Sequence, residues 1–404
     1  MRFLKLGATA LAGVFLAAGA MAPVAMAQPV AQVSKAMATA FNEANAAIAA
    51  KDWATAKAKL DLAMTQTKTP QEKLAVEQTR VQVYANAQDW NALITAVKAI
   101  ETLNLLPAPD MKAYRGVVGE SYKKLNDMPN YIKSHVAYLN QYGGTHQEFA
   151  VLAQDALTAK DTATSLTFVE KAIAASKAGG AKTPESYYRI KARATQESGN
   201  AAGVYLVLEE MITDYPKEEY WAQLIGRAQS EAGYGPIVHL DLYRALQAAG
   251  VKLTAQQISF AADTAIDRGL PNEALMLLES PGAPSGAQDV KNLETARTQT
   301  AKDKAGLAAE TASALSKGDG SVIAAIGEAH LTYGDHAKAA EVLQAALAKG
   351  IPDANEADAA RLHLGIAQLR MGDKDAARTT WAGVKTNNSA AALAQSWTLI
   401  SKLK

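Results

Sequence analysis

The chain has 404 residues, with 41 basic against 40 acidic side chains, 49% hydrophobic residues and no cysteine. So even a charge balance lacks the basic excess that nucleic-acid binding leaves, and the missing cysteine excludes disulfides, thiolate metal sites, a cysteine nucleophile and a lipid-modified cysteine anchor. An alanine-rich composition with only 13 prolines predicts an all-helical protein, because alanine is the best helix former.

The first element is an address. Arg2 and Lys5 precede a short apolar core from Leu6 to Leu16, and Ala25-Met26-Ala27 stands before Gln28, the three parts of an export signal. Residues 1–27 read as a signal peptide cleaved after Ala27, and the mature chain as periplasmic. A retained membrane anchor is the competing reading; Pro23 and the many alanines and glycines make a poor spanning helix. Nothing later approaches the ~20 apolar residues that a span requires, so no membrane insertion of the mature chain is expected.

Turn signals then recur at Lys51-Asp52, Gln88-Asp89, Asn126-Asp127, Lys160-Asp161, Gly199-Asn200, Gly233-Tyr234, Gly269-Leu270, Gly334-Asp335 and Gly372-Asp373. Their first positions are separated by 37, 38, 34, 39, 34, 36, 65 and 38 residues. Gly or Asn closes a helix in the left-handed conformation, and the adjoining Asp or Asn accepts from the free N–H groups of the next helix. Seven residues before each turn stand Ala44, Val81, Gly119, Ala153, Ala192, Gly226, Ala262, Gly327 and Gly365; all but Val81 are small. Nine residues after each turn stand Leu60, Val97, His135, Val169, Leu208, Leu242, Leu278, Leu343 and Trp381. His135 is the exception there, and Pro129 predicts a one-residue shift that puts Val136 in its place. Glu43 and Arg80 occupy apolar sites of the first two units and leave their register open. Pro184 and Pro216 mark helix boundaries, with Tyr220-Trp221 opening a new helix.

The irregular step of 65 begins with the breaker Ser280-Pro281-Gly282-Ala283-Pro284. A polar, helix-compatible stretch follows over 289–317, read as a long helix or helix pair interrupting the array, or as a hinge. The clearest two units, over 323–384, carry Gly327 and Gly365 at the small site, Ala339 and Ala377 at the small site of the second helix, and Leu343 and Trp381 at its large site. Position by position this pattern resembles the tetratricopeptide repeat, a helix–turn–helix unit of 34 residues.

The resemblance implies an all-α, right-handed superhelical solenoid of antiparallel helix pairs, about nine repeats with one polar helical insertion. The expected organisation is an N-terminal array over 28–280, an insertion or hinge over 281–320, and C-terminal repeats over 321–404. In this family the first helices line an inner groove, and the residue after the small site points into it. Those residues are Asn45, Gln82, Glu120, Gln154, Arg193, Arg227, Asp263, Glu328 and Ile366. One helical turn earlier, Arg189 and Gln223 share the face of Arg193 and Arg227. The expected partner-binding residues are Arg189, Arg193, Gln223, Arg227, Gln154 and Glu120, with the three arginines forming a carboxylate-binding patch. The alternative is that they are solvated charges paired with Glu197 or Glu231. The Lys/Asn set of the family's carboxylate clamp is missing.

No enzyme motif stands out. Of six histidines none forms an H-E-x-x-H pair, and His330 and His336 read as packing residues. No catalytic residue, metal or cofactor is expected. The resulting expectation is a periplasmic scaffold that binds a protein or peptide partner and assembles or regulates a cell-envelope complex. Residues 220–225 are similar to tetratricopeptide proteins that accompany TonB–ExbB–ExbD energy transduction. The alternative is a receptor for peptidoglycan or exported polysaccharide, and the third reading is a wall-modifying enzyme on a helical solenoid.

Overall fold

The computed structural model describes residues 34–384 and 388–403; the leader and its cleavage site lie outside them. Among the described residues every regular element is helical, and no helix is long and apolar enough to cross a membrane. Two compact units divide at Lys160. The first holds α1 (Lys35–Ala49), α2 (Trp53–Thr65), α3 (Pro70–Asn86), α4 (Trp90–Leu103), α5 (Ala108–Lys124), α6 (Met128–Tyr142) and α7 (His146–Thr158). The second holds α8 (Thr162–Ala178), α9 (Glu185–Glu197), α10 (Ala201–Asp214), α11 (Glu218–Gly226), a 3-10 turn (Arg227–Ser230), α12 (Pro236–Ala249), α13 (Ala255–Asp267) and α14 (Pro271–Leu278). It continues with α15 (Ala287–Lys317), α16 (Gly320–Thr332), α17 (His336–Lys349), α18 (Ala354–Arg370), α19 (Lys374–Ala382) and α20 (Ser389–Leu403).

One corner is used eight times. Its middle residue (Lys51, Gln88, Asn126, Lys160, Gly199, Gly269, Gly334 or Gly372) lies in the left-handed region, with φ between +56° and +90°. The N–H of the residue after it (Asp52, Asp89, Asp127, Asn200, Leu270, Asp335 or Asp373) reaches back to a carbonyl five positions earlier, as in Asp52 to Ala47 at 2.9 Å and Asp373 to Gln368 at 3.0 Å. This is the Schellman closure of the first helix. The same residue then caps the second helix: Asp52, Asp89, Asp127, Asp161, Asn200, Asp335 and Asp373 each accept from an N–H three residues on. Terminating one helix and starting the next with three residues turns the chain back on itself, and within each unit the two helices so joined pack side by side.

The small and large sites meet across these pairs. A Cβ on Gly327 would lie 2.6 Å from Leu343, one on Gly119 2.6 Å from the His135 ring, and one on Gly365 would strike the Trp381 indole. The third repeat therefore keeps the common register. His135, not Val136, fills the large site, and its imidazole is pushed below its ordinary pKa by burial. The first two repeats keep the register as well: Ala44 and Val81 are buried, and the misfit Arg80 is absorbed by Asp61 at 2.5 Å and Glu77 at 3.0 Å.

Within the first unit each helix packs on the next in chain order. The second unit departs from that order. Residues 287–317 form one helix, about 45 Å long at 1.5 Å per residue; its first half packs on α13 and α14, its second on α16 and α17. Beside it, Arg268 at the end of α13 reaches Glu328 of α16 directly, and the Asn272 amide donates to the Thr332 carbonyl at 2.7 Å. Further on, α18 and α20 pack against α12, so the unit closes on itself.

Two outcomes follow. Gln88 is exposed and left-handed, so Gln88→Gly should stabilise the chain by about 1 kcal/mol in denaturant unfolding, since a residue with a Cβ is strained there. Gly365→Ala should destabilise it by about 1–3 kcal/mol by overpacking against Trp381.

Candidate partner-binding faces

The residues after the small sites change character along the chain. In the first unit Asn45, Gln82 and Glu120 are exposed and Gln154 is half-buried. In the second, Arg193 is exposed, Arg227 and Asp263 are half-buried, and Glu328 and Ile366 are buried. The first unit's positions are open or half-open to solvent, whereas the last two of the second unit are filled by the protein itself.

Each of the expected arginines has its own acceptor. Arg189 donates to Glu185 through Nε at 3.1 Å and Nη2 at 2.6 Å, and to the Tyr220 hydroxyl at 3.0 Å. Burial pushes the Glu185 carboxyl up, but hydrogen bonds from Lys217, Tyr220 and Arg189 outweigh it and hold the group at about 2. Glu185 is thus an anion that already occupies Arg189. Arg193 pairs with Glu197 at 2.8 Å and is well exposed, the solvated pairing foreseen as the alternative. Arg227 differs: its guanidinium lies over the Tyr205 ring at 4.9 Å and donates to the Gln395 side chain of α20. Burial lowers its pKa, against partial compensation from Glu209 and Glu231. Gln223 is exposed on α11. Glu120 and Gln154 stand in the first unit, where the Gln154 amide bonds Thr158 at 3.4 Å.

What fills the far end of the row is a buried charged hub. Arg244 of α12 donates to Asp241 of its own helix at 2.8 Å, to Glu328 of α16 at 3.0 Å, and in a two-pronged contact to Glu273 of α14. Arg268 grips the same Glu328 at 3.0 and 2.5 Å. His363 of α18 lies 2.9 Å from the second Asp241 oxygen. Burial pushes Asp241 and Glu328 up, but His363 and Arg244, joined by Arg268 at Glu328, prevail and hold both carboxyls below their ordinary range. Asp241 is therefore ionised and can only accept, which puts the proton on His363 Nε2. Burial also opposes the charge on Arg244, but the carboxylates around it raise its pKa well above normal. All six groups are spent on one another, so the hub is a structural joint rather than a reactive centre.

The hub escaped the sequence reading, although traces were present. Asp241 and Arg244 sit three apart within an otherwise apolar stretch of α12, and His363 lies in the middle of α18. α18 is buried nearly all round, which marks a helix covered on every side.

No family profile matches the chain, and no curated protein does either. Among solved structures it is similar to a tetratricopeptide repeat protein from Parabacteroides merdae, at 9% identity over 82% of this chain and 99% of that one, with a TM-score of 0.27. It is also similar to Naa15/Naa10 bound to HypK-THB, at 14% identity over 91% of this chain and 62% of that one, TM-score 0.35, and to yeast Tom70, at 10% identity over 91% and 96%, TM-score 0.24. The class is set by the chain's own corners and small–large contacts: an all-α array of helix pairs that resembles the tetratricopeptide superfamily.

Arg244→Met would leave Asp241, Glu273 and Glu328 buried without their shared cation, and should cost about 3–5 kcal/mol in denaturant unfolding. The pH dependence has a definite sign. Carboxyls whose folded pKa is depressed contribute stability above their unfolded value, near 4, and lose it as pH falls through the folded value. Acidification below about pH 4 should therefore lower the unfolding midpoint of the wild type more steeply than that of an Asp241→Asn, Glu328→Gln variant.

Proposed function

We propose that this protein is a binding scaffold whose receptor face is the open row of the first unit, and that it holds a polypeptide partner. The observation that carries the reading is the exposure of Asn45, Gln82 and Glu120 at successive groove positions, followed by the half-buried Gln154. Amide side chains offer both a donor and an acceptor, which suits the peptide groups of an extended segment. The repeat spacing places an amide on α1, α3 and α7, with the Glu120 carboxylate on α5 between them. The second unit offers less, because its late groove positions are taken up by the hub and by α20.

We place the protein in the cell envelope, on the strength of the positively charged start, apolar core and Ala25-Met26-Ala27 site. There it would assemble or regulate an envelope complex; for a TonB–ExbB–ExbD-type system the support is the similarity of residues 220–225 alone. Binding, not catalysis, accounts for the site, since the buried carboxylates, arginines and histidine are bonded to each other.

The test is crosslinking and affinity capture of the tagged full chain from native envelope, with two variants beside it. Asn45→Ala, Gln82→Ala, Gln154→Ala should lose the captured protein at least tenfold, while Arg193→Glu should retain it. Loss with Arg193→Glu and retention with the triple variant would move the receptor face to α9. Co-purification of wall glycan without protein would overturn the scaffold reading in favour of a glycan receptor.

A further inference from the structure

The sixth repeat is built unlike the others, and the C-terminal helix sits where it differs. Its first helix, α11, has 9 residues, whereas the first helices α3, α5, α7, α9, α13, α16 and α18 have 13 to 17. At Arg227 the chain tightens into a 3-10 turn. The segment Arg227-Ala228-Gln229-Ser230-Glu231-Ala232 contains no proline or glycine to cause this, and the left-handed Gly233 waits where the common corner would place it. A change of helical pitch inside an otherwise helical segment marks strain or a hinge.

The partner of that distortion is α20. Ser389, fully buried at the start of α20, donates its N–H to the Ala232 carbonyl at 3.0 Å. Its hydroxyl lies 2.9 Å from the Ala228 carbonyl, with those of Ala232 at 3.2 Å and Glu231 at 3.3 Å as further acceptors. Tightening the helix thus turns backbone acceptors toward Ser389. A second mark of the same event is Gly226. Glycines 119, 327 and 365 touch the large residue of their second helix, but a Cβ on Gly226 would meet nothing within 4 Å. The sixth pair is more open at this point than the pairs of Gly119, Gly327 and Gly365, while α12, its second helix, packs on α20 and α18 as well as on α11. The joint itself is imperfect: Arg227 Nε and Trp397 Nε1 are buried without a hydrogen-bond partner, and Arg227 is a desolvated cation held by an amide.

We infer that α20 is an intramolecular latch and that residues 226–232 are the two-state element it controls. Latched, they form the 3-10 turn bonded to Ser389. Released, α11 runs on as a regular helix toward Gly233, Gly226 closes onto Leu242 as in the other repeats, and Arg227 and Ile366 return to the groove row. The ligand that fits the vacated seat is a helix with the character of α20: a serine at its start, small residues along one face (Ala390, Ala394, Ser401) and a large aromatic at the Trp397 position. The latch is independent of the receptor face assigned to the first unit, and its test needs no partner.

Hydrogen exchange on the full chain decides it. Amides of 227–232 and of α20 should exchange with one common rate, at least tenfold faster than those of α18. Ser389→Ala should speed both segments by the same factor, about tenfold, and leave α16 and α17 unchanged. Exchange of 227–232 at the rate of α18, or a response to Ser389→Ala confined to α20, would overturn the latch. A labelled peptide of residues 388–403 supplies the second arm. It should bind the Ser389→Ala chain at least fivefold tighter than the wild type, and equal affinity for the two would overturn the latch as well.

Discussion

Arg244 joins four helices that the chain order keeps apart: it contacts its own helix α12, Glu273 at the start of α14 and Glu328 of α16, while Asp241 beside it takes in His363 of α18. Together with the contacts of α20 on α11, α12 and α18, this hub takes the second unit beyond a row in which each helix touches only its neighbours. Such buried ion sets contribute little net stability, because desolvating the charges cancels most of the attraction. Their effect is on which structure forms. A slipped register of α12 or α18 would strand a charge in the interior, a penalty larger than any packing gained. The hub therefore acts by excluding alternatives to closure, and α18, covered on every side, depends on it.

At the local level the fold rests on a different constraint, the three-residue corner. A left-handed residue followed by an Asp or Asn cap satisfies the last carbonyls of one helix and the first N–H groups of the next with the fewest residues. The geometry is strict enough that lysine and glutamine accept the left-handed conformation at Lys51, Gln88 and Lys160. Where the corner is reached by another route, at residues 227–235, the helix pair behind it is also altered. That coincidence ties the backbone irregularity of the sixth repeat to closure of the unit rather than to its own sequence.

These two levels explain what could be read from the residues alone. Corners and small–large contacts lie within about one repeat, so periodicity exposes them, and the contacts of Gly119, Gly327 and Gly365 sit at the spacing the pattern implies. His135 was misplaced because an apolar residue was demanded at a site that asks only for a large ring of matching shape. The long segment after Ser280 could not be assigned between one helix and two, since its polar pattern fits either; packing on α14 at one end and α16 at the other keeps it straight. The hub and the seat of α20 bring together residues up to 168 positions apart, and no local period encodes such pairs. The acceptors of the arginines, Glu185 for Arg189 and Gln395 for Arg227, depend on packing that the groove pattern does not contain.

The change of the groove row from exposed to buried gives the two units different capacities. A row of exposed side chains on successive first helices can meet a ligand without prior rearrangement, so binding there carries no conformational cost beyond ordering the ligand. A row already occupied by the chain's own helix can bind only by displacing it, and the apparent affinity falls by the fraction of molecules in which the seat is free. On the proposed reading the same repeat would support constant binding in the first unit and conditional binding in the second. What separates them is not the composition of the groove positions, which are polar in both units apart from Ile366, but whether α12, α18 and α20 have closed over them.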